Sequence, residues 1–578
     1  MTKRHTIGRR RFLGVTGSLF LASGLSTVGA ATSGGHDQET TNVLRQTGRY
    51  ETGVYNDDAA EIPTYDARTE RAFVVDANES GVDVLDLSDP SAPSLVDSIR
   101  ITDIWKDPGP TNSADAHDGI LAVAVAAEPE TRPGRIVFYD TRSLDLLNSV
   151  TVGRLPDMVT FTPDGDSVLA ACEGEPNDSY SRDPRGSITV IDVSRGVQNA
   201  DVATAGFQKF DSQRTALRKK GVRIYGPNAT VAQDLEPEFI AISDDSKMAY
   251  VTLQENNAIA IVDIAAVSVR NIVPLGCKDF SLSKNGLDAI NDGKIDIETQ
   301  PLFGIYQPDS IGAYSVDGET YLVTANEGDP RSYDGFSESG VLIEEGGSFG
   351  LDSDDDGRID VPIDESQFDR NTLSSLEGLE VSTDLGDCDN DGRLEELYIY
   401  GGRSFAIWKP TDGGLELVFE SGNLIESTIA DLISEGKFPE AAFNTGSNSI
   451  DLDEESPASG PEPEGIAVGT VDGVDYTFVG LEEIGGVMVF DVSNPQAPTF
   501  VEYVNNRIFD LAELGINGPH ANLDDALERG DIEAGAAGDL APEGLSFVPA
   551  DDSPTDASLL IVANELSGTT TIYEATTM

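Results

Sequence analysis

Carboxylates recur in this chain at two fixed places. An acid follows a proline at the head of a short apolar run, at Asp157, Glu238, Asp309, Glu464 and Glu543. A second acid closes the next apolar run, at Glu79, Glu128, Glu173, Glu255, Glu327, Glu483 and Glu565. Carboxylates are hard oxygen donors, and several of them converging on one place suit a calcium-like cation. Without a cation they raise one another's pKa, so they need arginines or backbone N–H groups instead. Arg331 and Arg403 are the candidate arginine partners. The richest copy is Thr324-Ala325-Asn326-Glu327-Gly328-Asp329, with Arg331 and Tyr333 close behind. Two readings stay open here. One is a cation or ligand site built from Glu327, Asp329, Arg331, Tyr333, Arg403, Glu238, Asp309, Glu464 and Glu543. The other is a repeated brace, in which each acid accepts N–H bonds from the neighbouring unit.

A different acidic pattern occurs twice. Asp352, Asp354, Asp356 and Asp360 alternate around Gly357, and Asp387, Asp389, Asp391 and Glu395 do the same around Gly392. Alternate acids supply oxygens and the glycine permits the sharp turn, which is the spacing of a calcium loop. The twelfth position is Ile363 in one and Tyr398 in the other, not glutamate, and no flanking helices are evident. These are therefore expected to be calcium loops outside an EF-hand, with a structural role. Other chemistry has little to build on. The histidines His5, His36, His117 and His520 have no paired-ligand spacing. Cys172, Cys277 and Cys388 are too far apart for a disulfide scaffold or a zinc site; one bridge stays open, but they read first as buried free thiols. There is no Ser-His-Asp pattern, phosphate loop or dinucleotide fingerprint.

The elements that must carry these acids repeat. Ala72–Asp76, Val82–Leu87 and Ser94–Val96 are short strands separated by turn residues, and comparable runs recur to Tyr573. The pattern predicts an all-β fold, a single β-propeller of eight blades by signature, or seven if the second or sixth unit is degenerate. The last unit stops after three strands, and Leu44–Gly53 is strand-like and otherwise unpaired. It is expected to supply the missing strand and close the ring, which removes an exposed edge. The propeller then spans 43–578, with inserts near 197–233, 278–302, 337–379 and 505–539. In such a blade both acidic marks fall on one face, and the inserts enter on that same face.

Charge and the N-terminus speak about milieu. The chain has 102 acidic and 38 basic residues, for a net charge of −64. Such a surface repels nucleic acid and anionic lipid. Scattered acids, with Arg outnumbering Lys, suit a protein kept soluble in concentrated salt, where self-repulsion is screened. Residues 1–30 carry Arg9-Arg10-Arg11 and an apolar stretch, and small residues Gly29-Ala30-Ala31 span their end, the form of a twin-arginine signal peptide. Residues 31–42 read as a flexible leader, and the mature chain shows no transmembrane segment. An extracellular or cell-surface monomer is expected, with an unknown surface or small-molecule ligand as partner.

Several motifs, in order, carry a resemblance: LPDMVTFTPDG around Asp157, CEGEPNDSYS from Cys172, QDLEPEFIAIS from Gln233, YVTLQENNA from Tyr250, LVTANEGDPRSYDGF from Leu322, GGRSFAIW from Gly401 and PEGL from Pro542. Together they resemble the choice-of-anchor I family, which includes mesenchyme-specific cell-surface glycoproteins associated with biomineralisation. The resemblance covers nearly all of the chain after the leader. It implies a secreted or surface-attached propeller. Some relatives carry an alkaline phosphatase label, but no nucleophile or catalytic set is present here to carry over. The expected function is thus a calcium-binding scaffold. The alternative is a metal-dependent, alkaline-phosphatase-like phosphoesterase, with channel carboxylates holding the cation and Arg331 or Arg403 binding the phosphoryl charge.

Overall fold

The computed structural model describes residues 43–517 and 522–577. The expected signal peptide, the leader and His520 lie outside the described residues.

Seven four-stranded antiparallel meanders follow one another along the chain. The first comprises Pro63–Asp66, Arg71–Asp76, Gly81–Asp86 and Ser94–Arg100. The second, third and fourth occupy residues 108–154, 156–206 and 240–274. The fifth comprises Ile311–Val316, Glu319–Asn326, Ser404–Thr411 and Gly414–Glu420. Residues 463–504 form the sixth. The seventh is Pro542–Val548, Ser558–Asn564 and Thr569–Ala575, completed by Leu44–Glu51. The first strand of each sheet touches that of the next, and Pro542–Val548 touches Pro63–Asp66. This is a β-propeller.

The strand patterns follow from that packing. Second and third strands are sandwiched between neighbouring sheets and are apolar on both faces, as in Leu121–Ala127, every residue of which is buried. Fourth strands lie at the rim, and Ser94–Arg100 is largely exposed. The N-terminal strand joins the last sheet as expected. Leu44 pairs with Ala575 and Glu51 with Thr569.

The smaller blade count holds, because the fifth and sixth expected units are one sheet. A long insert separates its second strand from its third, so the third and fourth strands look like a new unit in the sequence. Leu397–Tyr400 lies outside that sheet and runs parallel to Leu302–Ile305. Segments 277–305 and 339–400 form one module around their own core, which includes Phe280, Leu302, Phe349, Leu373 and Leu397. Within 197–233, Asp201–Gly206 is the fourth strand of the third sheet, and a helix, Arg214–Lys220, follows. Another long connection, 421–462, contains the helix Leu424–Ser434. Its apolar spacing, Ile425, Ile429 and Ile433, is the signal that marks it in the sequence. One of the three thiols, Cys172, is buried; Cys277 and Cys388 are exposed.

Candidate functional site

Strand register explains the proline–acid mark. Pro463 pairs with Leu481, and pairing resumes only at Ile466 with Val479. Pro156 and Pro542 pair with Cys172 and Asn564, with the same skip before Val159 and Leu545. The skipped residues are the acid and its successor, so Asp157, Glu464 and Glu543 sit on β-bulges. A bulge re-aims a side chain where pairing ends. The residue before the proline is left-handed in four copies: Leu155, Gln307, Glu462 and Ala541 have φ of 45°, 39°, 49° and 54°. That conformation is costly for a residue with a side chain, and its repetition marks a turn built for a purpose. Since the proline faces the end of the second strand, the next residue there lies opposite the left-handed residue before the proline and donates its N–H to that residue's carbonyl. Those neighbours are Glu173, Glu482 and Glu565, so Glu482, not Glu483, is the second mark of the sixth sheet.

The fifth and sixth sheets bring these acids together. Carboxylate oxygens of Asp309, Glu327 and Glu464 lie within 4.8 Å of one another, and so do those of Glu327, Glu462 and Glu482. Asp309, Glu464, Glu482 and Glu543 are buried, and Glu327 is partly so. The Gln254 side-chain amide donates to Glu327 at 2.5 Å. Burial first, then the charges of Asp309, Glu462, Asp329 and Glu543, push Glu327 well above the usual carboxylate range. Glu464 is raised in the same way by burial and then by Glu482, Glu543, Glu327 and Asp309. Glu462 is pushed up to about 7, chiefly by burial. Glu462 and Glu482 escape the sequence reading because neither follows the proline nor occupies the counted closing position. Asp329 and Glu462 line a cavity of about 30 Å³ together with Gly328, Glu380 and Tyr400.

The two arginines go elsewhere. Arg331 is completely buried, 2.8 Å from Glu236 and 2.9 Å from Asp234, with its guanidinium 4.6 Å from the centre of the Tyr225 ring. It thereby serves a separate acidic group, Glu175, Glu236 and Glu255, whose oxygens also lie within 4.8 Å of one another. Arg403 is held by Glu426 at 3.2 Å and by the carbonyls of Asp288, Ser456 and Ala458. Tyr333 packs edge-on against Tyr180. Glu238 is buried just ahead of the fourth sheet, outside the two groups around Glu327. Braces between neighbouring sheets do exist, and unmarked residues carry several of them. Asp115 accepts from the Phe161 N–H at 2.7 Å, and the Ser310 hydroxyl accepts from the Ile466 N–H at 3.2 Å.

The two calcium-like loops share one hydrogen-bond plan. The first acid accepts from the glycine N–H five residues on: Asp352 from Gly357 at 2.8 Å and Asp387 from Gly392 at 3.0 Å. The last acid accepts from the second residue: Asp360 from Ser353 at 3.0 Å and Glu395 from Cys388 at 2.7 Å. Asp355 and Asn390 are left-handed, at φ 57° and 64°. Oxygens of Asp387, Asp389, Asp391 and Glu395 converge within 4.8 Å. Both loops belong to the insert module and lie side by side, since Ile363, just past the first loop, forms a parallel bridge with Leu394 at the end of the second. Among the described residues, no helix is long and apolar enough to cross a membrane.

The model of the choice-of-anchor I domain family matches residues 61–495. A mesenchyme-specific cell surface glycoprotein of Strongylocentrotus purpuratus is 27% identical over 325 residues, covering 50% of this chain and 40% of the relative. Gigasin-3a of Magallana gigas is 25% identical over 199 residues, covering 34% of this chain and 63% of the relative. The chain thus spans only part of the curated relatives it matches. Solved structures that resemble it include hydrazine synthase of Kuenenia stuttgartiensis (14% identity, TM-score 0.41, 94% of this chain and 99% of that one). The β-propeller domain of Cps50 (Swd1) from Myceliophteria thermophila gives 7% identity and the same score, over 90% and 97% of the two chains.

Proposed function

Because the chain belongs to the choice-of-anchor I domain family, we propose that it is an exported surface or extracellular propeller that acts as a binding scaffold and uses calcium to hold its insert module. The observation that carries this reading is the cap. Long connections leave the sheets at one end and are tied together by buried cations: Arg331 holds segment 207–239, and Arg403 holds 421–462 and the turn at Asp288. The two acidic loops stand on this cap, where hard oxygen ligands would take calcium. The surface-glycoprotein relative and the Arg9-Arg10 signal support export by the twin-arginine route. The scattered acids support work in concentrated salt. The phosphoesterase alternative loses its two charge-binding groups, because Arg331 and Arg403 are engaged inside the cap.

The test has three arms. Changing Arg9 and Arg10 to lysine is expected to retain the chain inside the cell. Calcium chelation is expected to lower the melting temperature, and the pair Asp352→Asn and Asp387→Asn to make that response smaller. Unchanged melting after chelation would remove calcium from the proposal. A chromogenic phosphate ester is expected to be left intact in the presence of calcium, whereas turnover that Glu327→Gln abolishes without unfolding the chain would restore the enzyme reading.

A further inference from the structure

Glu327, Asp309 and Glu464 make an unusual demand. Their oxygens lie within 4.8 Å of one another and come from two different sheets, the fifth and the sixth. Glu464 is 6% exposed, and its Oε2 has no hydrogen-bond partner. A buried carboxylate oxygen without a donor carries an uncompensated desolvation cost, larger when the group is ionised. The other acidic group of the same face, around Glu236, has Arg331 beside it. At Glu464 the strongest charges are all acidic. The bulge after Pro463 and the left-handed Glu462 before it aim this side chain at that place.

We propose that Asp309, Glu327 and Glu464 bind a hard divalent cation of the calcium class, which clamps the fifth sheet to the sixth. Three carboxylates supply an all-oxygen donor set, and calcium takes six to eight oxygens, so water and the neighbouring Glu482 complete the shell. Glu327 also belongs to the group with Glu462 and Glu482, which places further oxygens next to the ion. This site is separate from the two loops of the insert module. It would stand if the loops bound nothing, and its loss would leave the scaffold reading in place.

The experiment uses the full chain carrying Asp352→Asn and Asp387→Asn, so that the loops no longer contribute. Protein stripped with chelator is dialysed against calcium, and separately against manganese, in concentrated potassium chloride, which suppresses diffuse binding to the acidic surface. About one tightly held equivalent is expected, and adding Glu464→Gln should remove it. The metal-free melting temperature supplies a second readout. Glu464→Gln deletes a buried like charge, so the metal-free variant should melt at or above its parent, while the rise on adding metal disappears. An equal number of bound ions with and without Glu464→Gln would overturn the proposal. So would a parent whose melting is indifferent to both cations, which would mean that the acids share protons. If Glu464→Gln does not fold, Asp309→Asn is dialysed in its place, and full binding by that variant counts equally against the site.

Discussion

At the scale of the residue, Arg331 has the clearest energetic role. It is buried with two acids, and removing one member of a buried charge group leaves the rest uncompensated. Arg331→Ala is therefore expected to cost about 3–5 kcal/mol, read as a shift of the denaturation midpoint. Arg331→Lys should recover only part of this, since the ammonium lacks the planar fork that reaches the Asp234 carboxylate, the Asp234 carbonyl and Glu236 together. Asp76 gives a pH dependence. Burial pushes its carboxyl up to about 6, against the opposing pull of the Glu79 N–H and of Arg100, 3.3 Å away. Asp83 and Glu79 add a smaller push upward. The folded state thus holds a proton that the unfolded chain has released. This penalty is absent below about pH 4, the unfolded pKa of an aspartate, and complete above the folded value of about 6. Stability is lost as pH rises through that window. Asp76→Asn keeps the side-chain oxygen that accepts from Glu79, and its melting temperature should fall less than the parent's between these limits. Parallel slopes would rule the assignment out.

The element scale explains both the success and the errors of the sequence reading. Strands were legible because each blade repeats an apolar run between turn residues, and the Leu44–Glu51 strand was legible because the last unit lacked a partner. The fifth sheet was miscounted because its halves lie on either side of residues 327–403, and pairing between Ala325 and Phe405 leaves no local trace. The closing acid of the sixth sheet was misplaced by one residue because Glu482 and Glu483 are chemically identical in sequence; only the pairing of Pro463 with Leu481 separates them. Arg331 and Arg403 were legible as important but not as internal, since their acidic partners lie on distant loops. The neck of the insert is tight. A Cβ on Gly401 would lie 1.9 Å from the Glu327 carbonyl oxygen, and Gly401 has φ 76°. Gly401→Ala should force these two strands apart, cost more than the roughly 1 kcal/mol of backbone strain alone, and expose the neck to limited proteolysis. Intact resistance to protease would argue against this neck geometry. Deleting residues 43–51 should cost far more than a nine-residue tail does, because it bares the edge of Thr569–Ala575. The check is melting and aggregation of the truncated chain, with a synthetic peptide of that strand added back.

On the scale of the whole molecule, charge dominates. A net charge of −64 repels itself, and at molar salt the screening length is only about 3 Å. Melting temperature is therefore expected to climb with potassium chloride concentration well past the physiological range. A flat response would show that the acids are compensated locally. The same charge explains why the composition is silent about the cluster at Glu327. In a chain so rich in acids, the few that converge are distinguished by bulges and by sheet order, not by abundance.

The pairing of Leu44–Glu51 with Thr569–Ala575 also has a consequence in time. Arg45 and Glu574 are 529 positions apart. The first strand leaves the ribosome long before its partner is synthesised, so the seventh sheet cannot be completed until translation has passed Ala575. A nascent chain must keep that strand from pairing with any of the six sheets that form ahead of it. A circular permutant that begins at Pro542 would make all four strands of that sheet neighbours in sequence, and it should assemble the sheet during synthesis rather than after it.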